Sequence, residues 1–490
     1  MIEFPLQIPE RSGEVLLVPR RAELLELARA NRAALAAAGV QIAGAALGEW
    51  RARARAEALP LARRYTRGLG VEPPPDGDPG GLLLATGHQP VFPHPGIWVK
   101  YLLLDRLAGD GHTALAVIVD SDAMEAVGAD VPTRPAAQLE RRHETLRRVH
   151  PEEPYEAHRA PSAEEWESFL ARLDRHLQAI REPQVRAPWE AFRRRPRPEV
   201  ETFPAFLTAV RRRHEGARRF LDLPISTIAE TEPFRAFFVH VAGDPAGFAD
   251  VHNRHLSAYR AAQGIRTEAQ PFPDLDVGTD RVELPFWSVA DGRRRRLFIS
   301  PRDRLLSTPE RPLIPLPRDP AAPALAALAL RPRAITLTSF LRVFLSDLFI
   351  HGVSGARYDR VTDAVLSEFL EIRPPAYAAA SATLHLPFEG ATDPAGERSA
   401  LAQQIQEGRH NPERLLVDPT AEQKALVDEK WRLIRGLAAP GLTRAGRRDL
   451  TQRIRGINER LSAALSGSLA EMEAALAAYE EGRGPENVAT

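Results

Sequence analysis

Cysteine is missing from all 490 residues. That absence excludes disulfides, thiolate metal sites, iron–sulfur clusters and cysteine nucleophiles, so any chemistry here rests on other groups. Lysine is nearly missing: of 65 basic residues only three are lysines, Lys100, Lys424 and Lys430. No apolar run approaches the ~20 residues of a membrane-spanning helix. The opening stretch MIEFPLQIPERSGEV has neither the basic nor the apolar region of a secretion signal. A soluble cytoplasmic protein with no membrane partner is expected. Acidic and basic residues balance at 65 each, which leaves no overall field to recruit nucleic acid. The arginine runs RRRHEGARR (211–219) and RRRR (293–296) read as solvated faces rather than nucleic-acid patches.

What is present centres on residues 82–100, LLLATGHQPVFPHPGIWVK. Its last residue, Lys100, survives in a chain that uses arginine almost everywhere a positive charge suffices. An ammonium is a compact point charge and a guanidinium a wide planar fork, so a retained lysine suggests a site that the fork does not fit. Lys424 and Lys430 lie in what reads as an exposed helix, where lysine needs no special purpose.

The chain is too long for one core and is expected to form several lobes. Residues 21–68 read as two amphipathic helices broken near Gly39, and VEPPPDGDPGG (71–81) as a turn-rich linker. LLLAT (82–86), a loop, a helix from about Ile97 to Leu107 and ALAVIVD (114–120) form a strand–helix–strand unit, which predicts a parallel sheet. Ser162 and Glu165 form a capping box ahead of the apolar stripe Trp166, Phe169, Leu170, Leu173 and Leu177, which reads as core. PISTIAE (224–230) reads as a strand, and Phe234, Phe237, Phe238 and Val241 open a helical region to about Gln263. VELPFWSVADGRRRRLFIS (282–300) reads as a hairpin turning at Asp291-Gly292. AITLT (334–338) reads as a further strand leading into a helix, followed by the loop HGVSG (351–355) and a helix over 358–370. Leu426, Leu433 and Leu437, then Leu450, Ile454, Ile457, Leu461, Leu465, Met472, Leu476 and Tyr479, recur at helical spacing on either side of Pro440-Gly441. An antiparallel helical hairpin or coiled coil is expected there, with Gly456 and Gly467 supported by packing partners.

The expected organisation is therefore an N-terminal helical segment (1–75), the first half of an α/β core (76–132), a helical insertion (133–220), a continuation carrying the hairpin (221–330), the second half of the core (331–375) and a C-terminal coiled-coil, dimerising domain (376–490).

A phosphate needs backbone donors, a positive helix end and a compact cation. The loop TGHQPVFPHPG can supply all three through Gly87 and Gly96, the start of the helix near Ile97, and Lys100. His88, His94 and Gln89 add donors. The alternative is a proline-stiffened loop whose histidines cap backbone groups. Asp120 and Asp122 fall where the second strand ends, which is where open α/β sheets hold ligands. They suit an amine, a ribose hydroxyl or water-bound Mg2+, or else serve as helix caps. HGVSG wraps a nucleotide or is only a turn. No histidine pair has ligand spacing on a predicted helix, so no metal site of the zinc type is expected.

The order of GHQPVFPHPGIWVKYLLLDRLA, AVIVDSDAMEAVGADVP, VELPFWSVADGRRRRLFI, HGVSGARYDRVTDAVLSEFL and a C-terminal coiled coil resembles the BshC family, assigned as cysteine ligases of bacillithiol biosynthesis. It covers about residues 80–480, as a divergent member. The resemblance implies a Rossmann-like parallel sheet akin to class I aminoacyl-tRNA synthetases, helical insertions and a homodimer through the coiled coil. It implies ATP or ADP as the nucleotide, with or without Mg2+, and a C–N bond formed to a cysteine-like amine. The implied catalytic residues are Lys100, His94 and Asp122. Gly87, His88, Gln89, Gly96, Gly352, Ser354 and Gly355 would hold the nucleotide, and Asp120 and Tyr358 the substrate. The acidic cluster remains as Asp120, Asp122 and Glu125 without the family's histidine, and Ala356 stands where a glutamate is usual. A nucleotide-binding protein of the same fold without turnover is the alternative.

Overall fold

Strands buried on both faces read as continuous apolar runs, because each face must meet its own layer of helices. The computed structural model shows this for LLLA and ALAV. It describes residues 6–388 apart from 79, 110, 124–125, 135–138 and 266–269, and residues 401–476 apart from 402–403, 406–407, 409–410, 415, 417–418, 437–443, 464, 466–468 and 475. Glu125, Leu437, Pro440-Gly441, Gly467 and Tyr479 lie outside the described residues.

Six strands form the main sheet: β1 (Val15–Val18), β2 (Leu83–His88), β3 (Thr113–Ile118), β4 (Leu221–Pro224), β5 (Leu348–His351) and β6 (Ala378–Ala382). Their spatial order is β1-β6-β5-β2-β3-β4. All neighbours are parallel except β1, which runs antiparallel to β6. From β2 the chain adds strands on one side through β3 and β4, then returns to add β5 and β6 on the other. The order therefore reverses between β2 and β5.

Side chains alternate across each strand, and the two faces have different covers. Leu84, Ala114, Ala116, Leu348 and Ile350 meet Leu24 and Ala28 of α1 (Arg21–Ala37) and Ile97, Tyr101 and Leu104 of α3 (Pro95–Ala108). Leu83, Ala85, Leu115 and Val117 meet Trp50, Ala54 and Ala58 of α2 (Leu47–Gly68) and a cluster of phenylalanines that includes Phe234 and Phe237. Truncating one such phenylalanine to alanine costs about 3–5 kcal/mol.

A second, antiparallel sheet contains the expected hairpin, with strands Val282–Ser288 and Arg295–Ile299. Its turn is closed by Gly292 N donating to Val289 O at 2.9 Å, with Gly292 at φ 78°. The capping box forms as expected: Glu165 N donates to Ser162 Oγ at 3.0 Å, and Ser162 N to Glu165 Oε2 at 2.7 Å. The stripe from Trp166 to Leu177 is buried.

Two strand assignments are corrected. AITLT lies in a helix, α4 (Ala334–Phe340), and the strand is the next apolar run, β5. Every residue from Ile335 to Phe340 is buried, so no periodicity distinguishes helix from strand there. Thr338 returns its hydroxyl to Ala334 O at 3.2 Å, a bond that a helix offers and a strand does not. In PISTIAE only Pro224 belongs to β4, and Ile225–Ala229 is a short helix.

The chain divides into two compact units. One comprises residues 1–129, 144–172 and 191–384, the other 130–143, 173–190 and 385–490. The division runs through the expected 133–220 insertion. In the second unit, helices Ala421–Gly436 and Arg444–Ala463 pack through Leu426, Leu433, Ile457 and Leu461. They are antiparallel: Glu422 pairs with Arg460 and Glu429 with Arg453. Among the described residues no helix is long and apolar enough to cross a membrane.

Candidate functional site

The loop after β2 is closed by its own side chains. His94 is the N-cap of α3: its Nδ1 accepts from Gly96 N at 3.1 Å and its carbonyl from Ile97 N and Trp98 N, each at 2.9 Å. Pro95 has no N–H to offer. The first turn of α3 therefore keeps no free donor, and the expected phosphate contact at this helix end is replaced by a histidine cap. Gly96 is required by that cap, because a Cβ there would stand 2.9 Å from the His94 ring and 3.1 Å from Ser381 Oγ. His88 Nδ1 lies 3.1 Å from Gln89 O. Burial, then the Lys100 charge, pushes the His88 imidazole down to about 3, so it is a neutral donor. His94, capping and exposed, is lowered by the same two causes in the same order.

Lys100 is 3% exposed, and its Nζ donates to Gly87 O at 2.9 Å. No carboxylate among the described residues lies within ion-pair distance of it, and two of its three N–H groups have no acceptor there. Burial lowers its pKa to about 8. A charge without a partner in a dry interior costs several kcal/mol, so this amine is held in a state that an anion would relieve.

The strand pleat fixes where that amine sits. Successive carbonyls of a strand point to opposite neighbours, and His88 O accepts from Val119 N, which follows β3. Gly87 O therefore faces β5. In the β2–β5 register Ile350 lies opposite Thr86, so the next pair is His351 and Gly87. Lys100 is thus anchored at the point where the strand order reverses, beside the start of α5 (Val353–Glu368).

The open helix end is here. Gly352 is the N-cap of α5 without a side-chain cap. Among the described residues the N–H groups of Val353, Ser354 and Gly355 have no acceptor, and Ala356 N bonds to Gly352 O at 3.0 Å. The two predicted glycine loops are brought together at one sheet edge. The donors come from the second loop rather than the first.

Asp122 is already held. Gln89 Nε2 donates to its Oδ2 at 3.0 Å, while Oδ1 accepts from Ala123 N at 2.9 Å and from Arg294 at 3.0 Å. Asp120 is fully engaged by Ser226, whose N–H bonds to Oδ1 at 2.9 Å and whose hydroxyl bonds to Oδ2. Burial, then the neighbouring Glu156 carboxylate, raises Asp120 to about 7. The Tyr358 ring meets Phe272 edge-on at 5.8 Å, and burial, Asp359 and Asp122 push its hydroxyl up to about 12. Tyr358 and Asp122 are therefore within electrostatic reach of each other. Among the described residues no three His, Asp or Glu side chains gather as a metal site.

Several partners are not legible in the sequence. Arg294 belongs to the run RRRR, where each arginine pairs with an acid: Arg293 with Glu152, Arg294 with Asp122, Arg295 with Asp291 and Arg296 with Glu283. Arg211 and Arg212 are buried against Asp222, not solvated. The network His351–Asp359–Arg342 spans only 17 residues, but its members come from three successive elements, the π turn, β5 and α5.

The cavity beside the β2–α3 loop is lined by His88, Gln89, Ile97, Tyr101, Thr208 and Arg211. It measures about 10 Å³, which is room for one water. Compared with known proteins, the chain matches no family model and no curated sequence.

Proposed function

We propose that the carboxyl edge of the main sheet binds an adenine nucleotide, ATP or ADP, and that the chain is an ATP-dependent or adenylate-forming, BshC-like ligase. It would join a cysteine-like amine to a small acid. The observation that carries this reading is Lys100: a buried amine without a carboxylate, beside the uncapped start of α5, where the strand order reverses. The five parallel strands follow the order of Rossmann-like sheets, in which ligands bind at that reversal. The residues there suit a polyphosphate, since Lys100 supplies a point charge and Gly352–Gly355 supply free N–H groups and a positive helix end. When bound, ATP would supply the activation of the carboxylate. Neutral His88 and Asp122 would line the approach to it.

Titration calorimetry with ATP, ADP and AMP, with and without Mg2+, tests the reading. Binding that disappears in Lys100→Met is expected, and no binding of any of the three sinks it. Binding without turnover is the second reading. It is favoured by Asp122, whose two oxygens are already held, and by Ala356, fully buried with its carbonyl accepting from Tyr377 Oη at 2.9 Å. Release of phosphate or pyrophosphate on adding an acid and cysteine separates the two. The proposed homodimer would form through the C-terminal helices, where the exposure of Trp431, at 44%, supports a contact. Light scattering of Trp431→Glu against the parent chain tests that contact, and the expected compartment is the cytoplasm.

A further inference from the structure

The nucleotide reading leaves unused the one histidine that ends a parallel strand at the reversal point with a carboxylate behind it. His351 is 4% exposed, and its Nε2 lies 2.9 Å from Asp359 Oδ2. Its ring is fixed edge-on between Phe349, at 4.6 Å between centroids, and Tyr377, at 5.0 Å. Asp359 is fully buried and takes Arg342 Nη1 at 2.5 Å. Arg342 also reaches Asp363 at 2.6 Å and the carbonyl of Pro375. It is aimed by a turn of π-helix, Leu341–Leu345, a distortion that recurs at functional sites. Arg342 and His351 together hold the Asp359 carboxyl below its ordinary range despite burial. Burying three ionisable groups in this way is costly, and hydrophobic packing of similar volume would staple the same elements at least as well.

The opposite ring nitrogen faces the start of α5. A Cβ on Gly355 would stand 2.9 Å from His351 Nδ1, so glycine is what lets the ring sit against the start of this helix. The arrangement sets an imidazole against a buried carboxylate, with its other nitrogen on the side of the helix end proposed to hold the phosphates.

We propose that His351 is the base that takes the proton from the attacking amine, with Asp359 and Arg342 as its positioning residues; this rests on the ligase reading above. The amine nitrogen forms the C–N bond to an acyl carbon activated as a phosphoric anhydride. The C–O bond to the phosphate leaving group breaks, with its electron pair staying on the phosphate oxygen, and one N–H proton moves to Nδ1. The titratable and charged groups facing His351 are Asp359 and Asp363 from α5, Arg342 from the π turn and Tyr377 ahead of β6.

Long-range proton–nitrogen NMR of the full chain with labelled histidine, His351 being assigned by its loss in His351→Gln, reads the tautomer directly. A protonated Nε2 with a bare Nδ1 at pH 7 is expected, and a doubly protonated ring overturns the assignment. Amide formation is then compared between cysteine and hydroxylamine, which attacks in its neutral form without a base. His351→Gln and Asp359→Asn should lose about 100-fold with cysteine, yet stay within about threefold with hydroxylamine and in ATP affinity. Equal losses with both nucleophiles, or none, mean a structural network and overturn the proposal. If the parent chain binds no ATP, the ligase reading fails, and the tautomer still decides whether His351 carries an open acceptor.

Discussion

Lys100 and Lys430 are both buried, one in each unit, and they are held in opposite ways. Lys430 is 1% exposed, and its ammonium meets both oxygens of Glu413, at 2.9 and 2.7 Å, as well as Asn411. Lys100 is 3% exposed and meets one carbonyl. A buried charge with a carboxylate and an amide is a completed structural contact. One with a single neutral acceptor is incomplete in the protein alone. The difference also corrects the expectation that Lys430 lies on an exposed face without purpose; only Lys424 fits that description, with an exposed side chain.

The largest test of this contrast is Lys430→Met. Removing one partner of a buried pair strands the other, so a loss of about 3–5 kcal/mol is expected in denaturant unfolding. Lys100→Met should act in the reverse direction. It removes an uncompensated charge whose pKa falls from 10.5 to about 8. That shift corresponds to roughly 3 kcal/mol, offset by about 1 kcal/mol for the lost bond to Gly87 O. A ligand-free protein about 2 kcal/mol more stable than the parent at pH 7, and unable to bind nucleotide, is expected. A destabilised Lys100→Met protein would end the distinction.

The pH dependence sharpens the same comparison. Because the folded Lys100 amine loses its proton near 8 and the unfolded one near 10.5, the unfolded chain binds more protons between those values. Stability from this group therefore rises with pH across that window. The advantage of Lys100→Met should shrink as pH climbs from about 8 to 10.5, measured by unfolding at successive pH values. Nucleotide affinity of the parent should weaken above about 8 as the ammonium is lost.

The smallest effect concerns Asp120. Its folded carboxyl keeps a proton up to about 7, whereas the unfolded one releases it near 3.8. Stability should fall as pH rises through that interval. Asp120→Asn should flatten the slope, being nearly neutral at the acid end and stabilising at the alkaline end by on the order of 1 kcal/mol once the Ser226 bonds are discounted. Thermal melts across the interval check this.

Local signals in the sequence carried the parallel strands, the capping box and the hairpin turn, because each depends on neighbours a few residues apart. Lys100 was legible as a rarity, and its helix and loop were placed correctly. Its setting was not, since the β5 partner lies some 250 residues away and the carbonyl it meets is a backbone atom. The helix end that donates was assigned to α3 because Gly96 sits there, while the histidine that closes it looked like a ligand. His94 shows why residue type alone misleads: imidazole caps a backbone N–H as readily as it contacts a phosphate. The Ala334–Phe340 helix was hidden by complete burial, which erases the pattern that separates helix from strand.

The edge strand β1 carries a consequence for how the chain is made. Val15 pairs with Ala382 and Val18 with Ala379, so the edge strand is synthesised some 360 residues ahead of its partner. At ~5–20 residues per second, β1 emerges tens of seconds before anything exists for it to pair with. Until then its unpaired N–H and C=O groups are a template for the wrong strand. Completion of this sheet therefore waits for β6, whose pairing with β1 closes the edge.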